Sequence, residues 1–292
     1  MRSDNARKPL LRLLSERKLA DLLPRGSPGD RLEPSGVLAE HDYLYVVFDN
    51  LTRVARIGGA LSNRRGAAWL GSHSEEKGFE DIAYSHRRKR FYLLIEAMRV
   101  DGDYRGGVIE TDGRFQQIRR MWLDFPFESE NKGFEGVTCV GRGKDEYLLA
   151  LCEGNKCKAG KAGRKPGGGR IQVFQAVRDT WRHVDTIRIP KSVTFEDYSA
   201  LDVRERRVAV VSQASSGVWI GSFAPDSWDL MDDGLVYSFP TDAENRTVYC
   251  NAEGVAWLAA DRLAIVSDRM RPSKDRKRCR QKDQSVHIFA LE

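Results

Sequence analysis

An acidic residue, a small or turn-forming residue and an apolar run recur together along this chain. The phrase reads Glu33-Pro34-Ser35-Gly36-Val37, Phe79-Glu80-Asp81-Ile82, Phe134-Glu135-Gly136-Val137, Phe195-Glu196-Asp197-Tyr198-Ser199 and Ala252-Glu253-Gly254-Val255. Its glutamates stand 47, 55, 61 and 57 residues apart. Behind each comes a second acid or amide, at Asp49, Glu96, Glu153, Gln213 and Asp268, separated by 16, 16, 18, 17 and 15 residues. That near-constant spacing suits a hairpin whose two ends open on one mouth. Nine carboxylates gathered there repel one another unless they are protonated or neutralised by cations. A hard divalent ion, Ca²⁺ first with Mg²⁺ or Mn²⁺ behind it, is the natural partner for such oxygens.

Glu33, Glu80, Glu135, Glu196 and Glu253, with Asp49, Glu96, Glu153 and Asp268, are therefore the candidate metal-facing residues. In the first and fourth phrases Ser35 and Ser199 can take the place held elsewhere by glutamate. The nearest acids then reduce to Glu80, Glu135 and Glu253, and Ser35, Ser199 and Gln213 become ligand contacts. The alternative is that the glutamates cap inner strands by accepting from neighbouring backbone N–H groups, with no metal.

The elements that must position these residues are strands. Each phrase leads, after a turn, into a short apolar run rich in Val, Ile, Leu and Tyr, at 43–48, 91–95, 147–151, 208–212 and 263–267, as expected of fully buried strands. Third segments follow at 53–57, 107–110, 170–174, 217–223 and 286–291. Fourth segments are readable at 67–70, 115–122, 181–189 and 235–239. The fifth unit runs out of chain after three strands, while 9–23 is an orphan extended segment.

A period of about 50 residues suits one four-stranded blade and is too long for solenoid repeats. The expectation is a single all-β domain, a five-bladed β-propeller with blades near 33–78, 79–133, 134–194, 195–250 and 251–292. The last blade is completed by the N-terminal strand, which removes an open edge. A large β-sandwich would show no such repeat.

Two connections are basic. Residues 152–170 carry Lys156, Lys158, Lys161, Arg164, Lys165 and Arg170, and 269–284 carry eight Lys or Arg, Arg269 and Arg271 among them. The formal net charge of +6 thus belongs to two loops. Such runs are ordinarily solvated surface. Read functionally, they steer an anionic ligand to the mouth, with Lys156, Lys158, Arg269 and Arg271 as contacts.

Other chemistry finds little purchase. There is no G-x-S-x-G elbow, no H-E-x-x-H and no P-loop. No aromatic stripe interleaves the basic residues, which argues against nucleic acid. His41, His73, His86, His183 and His287 are scattered and read as surface residues, and the six tryptophans read as packing between blades. No run of 18 apolar residues marks a membrane span, and 1–23 has no uninterrupted apolar stretch of a secretory signal. The expectation is a cytoplasmic monomer with five free thiols, a Cys152–Cys157 or Cys250–Cys279 bridge following only if the chain is exported.

The stretches Leu32 to Val37, Tyr43 to Asp49 and Glu253-Gly254-Val255-Ala256-Trp257 resemble blades of the five-bladed calcium-dependent nucleotidases (apyrases). The Glu-Gly-Val phrase is also similar to phytase-like propellers and, more loosely, to the gluconolactonase group. The resemblance implies a central Ca²⁺, phosphoanhydride or phosphoester hydrolysis, and Glu80, Glu135 and Glu253 as ligands. No catalytic base or nucleotide-contacting segment matches. Two functions follow as expectations: a metal-dependent hydrolase of an anionic, phosphorylated small molecule, with a lactonase or esterase as a variant, or a non-catalytic propeller that binds an anionic ligand or protein.

Overall fold

The computed structural model describes residues 9–24, 31–71, 78–129, 132–178, 180–270 and 277–292. After strand β1 (Leu11–Lys18), the chain lays down β2 (Pro34–Glu40), β3 (Tyr43–Phe48), β4 (Val54–Gly58) and β5 (Ala68–Leu70) as one antiparallel meander. The same succession follows in β6 (Phe79–Ser85), β7 (Arg90–Val100), β8 (Asp103–Thr111) and β9 (Gln117–Phe127), then in β10 (Phe134–Arg142), β11 (Asp145–Cys152), β12 (Arg170–Val177) and β13 (Thr180–Arg188). A further meander is β14 (Ala200–Arg204), β15 (Arg207–Ser212), β16 (Gly217–Ser222) and β17 (Leu235–Ser238). The last strands are β18 (Ala252–Ala259), β19 (Arg262–Ser267) and β20 (Ser285–Leu291). β1 completes their sheet, running antiparallel to β20 with Leu11 facing Leu291 and Lys18 facing Ser285.

Two features depart from the sequence expectation. The outer strands β9 and β13 pair in parallel, from Trp122 opposite Thr180 to Asp124 opposite Arg182, and so fuse two meanders into one eight-stranded sheet. The N-terminal segment also leaves its extended form after Lys18, turning through helix α1 (Leu19–Leu22). Leu19, Leu22 and Leu23 share one face of that turn, and all three are buried.

The first strands of the meanders are neighbours in a ring: β2 lies beside β6, β6 beside β10, β10 beside β14, β14 beside β18, and β18 beside β2. The second strands are buried on both faces, so they read as continuous apolar runs with no alternation of polar residues. In β11, Leu148 and Ala150 pack toward the preceding meander while Leu149 and Leu151 pack toward the following one. Hydrophobic cores fill the spaces between successive meanders, with Trp181 and Trp219 buried completely.

The free-thiol expectation is corrected. Cys152 is bonded to Cys157 and Cys250 to Cys279, leaving Cys139 as the free cysteine. With two bridges in place, thiol content no longer argues for a reducing compartment. No helix among the described residues is long and apolar enough to cross a membrane. The histidine expectation is corrected at His287, whose ring is fully buried against Glu16, Ser267 and Lys282. His73 lies outside the described residues.

Candidate functional site

The glutamate of the repeat sits on a β-bulge. Pairing between β6 and β7 passes from Phe79 to Asp81 and skips Glu80, that between β10 and β11 skips Glu135, and that between β18 and β19 skips Glu253. Between β2 and β3 the skipped residue is Ser35. A bulge leaves one residue without a ladder partner and re-aims its side chain. The first and fourth units correspond through an identical contact. Ser35 Oγ donates to the carbonyl of Phe79, and Ser199 Oγ donates to that of Ala252, 2.8 Å away. Each acceptor directly precedes the next unit's bulged glutamate. Ser35, Glu80, Glu135, Ser199 and Glu253 therefore share one register position around the ring, and Glu33 and Glu196 fall outside it.

The glycine of the phrase has its own reason. A Cβ on Gly136 would stand 2.6 Å from the Leu201 backbone nitrogen, and one on Gly254 would stand 2.9 Å from that of Val37. Inner strands approach too closely there for a side chain.

The hairpin ends close as their spacing requires. Asp49 N–H donates to the Glu33 carbonyl at 2.9 Å, Glu153 N–H to Gly133 at 3.2 Å, and Asp268 N–H to Asn251 at 2.8 Å. The acids at both ends feel one another. Burial, followed by the charges of Asp268, Glu135, Asp49 and Asp197, drives the Glu253 carboxyl well above its ordinary range. Asp268 is likewise raised, by burial first and by Glu33 and Asp49 among its neighbours, and its Oδ1 is buried with no hydrogen-bond partner. Among the described residues, no three His, Cys, Asp or Glu side chains stand close enough together to hold a metal ion, so these acids meet through their fields and not as a formed ligand cage.

Part of the charge is answered by the chain's own cations. Lys132 is paired with Glu153, and Arg269 stands 3.7 Å from Glu33. Gln213 lines the mouth, Lys156 is exposed, and the Glu96 side chain and Arg271 lie outside the described residues.

Two cavities open on this face. One of about 380 Å³ is lined by Lys132, Glu153, Lys158, Arg164, Glu196 and Asp197, and one of about 370 Å³ by Asp197, Gln213, Cys250, Asn251 and Arg278. They share Asp197 and Ala214. Asp197 accepts from Ser212 Oγ at 2.5 Å and from Ala214 N–H, and burial raises its carboxyl above the usual range.

The basic loop after β11 is built and not merely solvated. Asn155, fully buried, donates to the carbonyls of Gly163, Phe195 and Glu196 and accepts from Gly168 N–H and the Tyr198 hydroxyl. That network brings Lys158 and Arg164 to the first cavity.

Sequence reasoning missed Asp197, Asn155, Lys132 and Arg278. The signal for Asp197 was its place two residues before Ser199, where the glutamate-bearing units have Gly78, Gly133 and Asn251. It also missed the buried acids Asp81 and Asp202, which join inner strands. Asp81 accepts from Val137 N–H at 2.8 Å, and Asp202 accepts from Trp257 N–H at 2.8 Å and Thr138 Oγ1 at 3.1 Å.

No family model and no curated protein matches this sequence. Solved structures of β-propeller enzymes do match its shape. The glutaminyl cyclase of Myxococcus xanthus superposes with a TM-score of 0.58 at 10% identity, over 98% of both chains. A GH43_1 enzyme from Xanthomonas citri gives 0.52 at 13% identity, covering 94% of this chain and 90% of that one. The xylan β-1,4-xylosidase of Bacillus halodurans gives 0.53 at 9% identity, covering 93% and 53%. The fold is a β-propeller. At these identities the likeness speaks for the fold alone.

Proposed function

We propose that this propeller has five blades and that Ser35, Glu80, Glu135, Ser199 and Glu253 surround a hard divalent cation, Ca²⁺ ahead of Mg²⁺ or Mn²⁺. On this reading the mouth hydrolyses an anionic, phosphorylated small molecule. The carrying observation is Glu253, whose carboxyl is driven well above its ordinary range by burial and by four neighbouring acids. A cation is the simplest relief for such repulsion. The donor chemistry suits such an ion, being entirely oxygen, and Asp268 Oδ1 is a buried acceptor in want of a donor or a cation; binding would have to draw Glu80, Glu135 and Glu253 closer together than they stand.

When bound, such an ion polarises a phosphoryl oxygen and lowers the pKa of water. The chain's own residues do the rest. Lys158, Arg164 and Arg278 hold the anion at the cavities, and Lys132 and Arg269 keep Glu153 and Glu33 from repelling it. Asp197 sits where both cavities meet, fixed by Ser212 and Ala214, and orients the attacking water.

The test is a phosphatase and nucleotidase panel with and without EDTA, run beside Glu135→Gln. Turnover that EDTA abolishes and the variant lacks supports the reading; an axis without metal by elemental analysis and anomalous scattering overturns it. A non-catalytic anion-binding propeller is the second reading. The internal Lys132–Glu153 and Arg269–Glu33 pairs favour it, because they neutralise mouth acids without any metal.

A further inference from the structure

Both disulfides lie at the mouth, and every half-cystine adjoins a residue that lines one of its cavities. Cys152 precedes Glu153, and Cys157 precedes Lys158, both on the first cavity. Cys250 itself lines the second cavity and precedes Asn251, while Cys279 follows Arg278. Each bridge ties down one of the two basic loops, the first closing 152–157 and the second joining the segment before β18 to the connection between β19 and β20.

Their burial is also alike. Cys152 and Cys279 are buried, whereas Cys157 and Cys250 are half-buried. Arg278 donates to the Thr247 carbonyl at 2.8 Å, on the same short segment that carries Cys250.

We infer that the mouth is under redox control: with both bridges formed, Lys158, Arg164 and Arg278 are held at the cavities, and reduction by a dithiol releases them. The exchange balances. A thiolate of the dithiol attacks Cys250 Sγ, the Cys250–Cys279 bond breaks, and Cys279 leaves as thiolate. The second thiol then displaces Cys250 from the mixed disulfide, so that the dithiol becomes a disulfide and the protein gains two thiols. At the first bridge Cys157 is attacked and Cys152 leaves. The inference rests on reading the mouth as the ligand site, since regulation there presumes a ligand.

Trypsin supplies a readout that needs no ligand, because the loops are rich in Lys and Arg. Oxidised full-length protein, dithiothreitol-reduced protein and the double variants Cys152→Ser/Cys157→Ser and Cys250→Ser/Cys279→Ser are digested, with cleavage mapped by mass spectrometry. Reduction, or loss of the bridge concerned, accelerates cleavage in its own loop on the order of tenfold. The single-bridge variants serve where full reduction unfolds the chain. Binding of inorganic phosphate and of Ca²⁺ alone is measured in parallel by calorimetry, and phosphate affinity falls on reduction while the intact oxidised chain binds both. Loop cleavage and phosphate affinity unchanged by reduction overturn the inference alone. An oxidised chain that binds neither probe overturns the underlying reading of the mouth, and the proposed regulation with it.

Discussion

Ser199 reaches from its own unit to the next and donates its hydroxyl to the carbonyl of Ala252, 2.8 Å away, the residue immediately before Glu253. Ser35 makes the corresponding bond to Phe79, immediately before Glu80. These hydroxyls fix the backbone from which the bulged glutamates project, and they occupy the glutamate register in their own units. Ser199→Ala therefore has two expected effects. It lowers stability by about 1 kcal/mol through the lost buried hydrogen bond, measured by urea denaturation, and it weakens Ca²⁺ binding in calorimetry. A variant with unaltered Ca²⁺ affinity would separate the hydroxyl from the ion.

Glu253→Gln removes a carboxyl that burial and four neighbouring acids drive well above its ordinary range. In metal-free protein at pH 8 the amide relieves repulsion, so thermal unfolding should occur at an equal or higher temperature than in the parent chain. The rise in melting temperature on adding Ca²⁺ should vanish in the same variant. If Ca²⁺ still raises it fully, Glu253 is no ligand.

Asp202 bears on pH. Burial is the first cause lifting its carboxyl to about 6, against hydrogen bonds from Trp257, Val203 and Thr138 that pull it down. The folded chain therefore holds this proton more tightly than the unfolded chain does. The resulting stabilisation is complete below the unfolded value of about 4 and is lost as pH rises through about 6. Stability measured in urea between pH 4 and pH 7 should fall less steeply in Asp202→Asn than in the parent. Parallel curves would exclude Asp202 as the cause.

Asn155 anchors the loop that carries Lys158 and Arg164. Replacing it with Ala strands several buried backbone partners, at a cost on the order of 3 kcal/mol, and frees the loop. Tryptic cleavage within 156–165 should quicken and phosphate affinity should drop. Asn155→Asp, which keeps the acceptor but not the amide donors, should behave as Asn155→Ala does if donation to Phe195 and Glu196 is what seats the loop. A variant that stays close to the parent would put the weight on acceptance from Gly168 and Tyr198.

Gly136→Ala tests the close approach of inner strands. The added carbon would meet the Leu201 nitrogen at 2.6 Å, and backbone must move to make room. A loss of about 1–3 kcal/mol is expected, read by thermal denaturation. A melting temperature within error of the parent would mean that β10 and β14 can separate freely.

The sequence by itself determined the strands, their grouping and the repeated acids, because these are local matters. Buried second strands must be apolar throughout, as 43–48 and 263–266 are, and a phrase repeated at near-constant intervals announces equivalent units. It also offered Ser35 and Ser199 as stand-ins for glutamate. Only the tertiary structure decided which candidates share a register, because a bulge that skips one residue becomes visible only when β2 is laid against β3 or β18 against β19. It likewise joined Cys250 to Cys279 across 29 residues, seated Lys132 on Glu153, and buried Asp81 and Asp202 between strands from different units. Those outcomes depend on distances between segments far apart in the chain, and spacing along a sequence does not encode such distances until the ring closes.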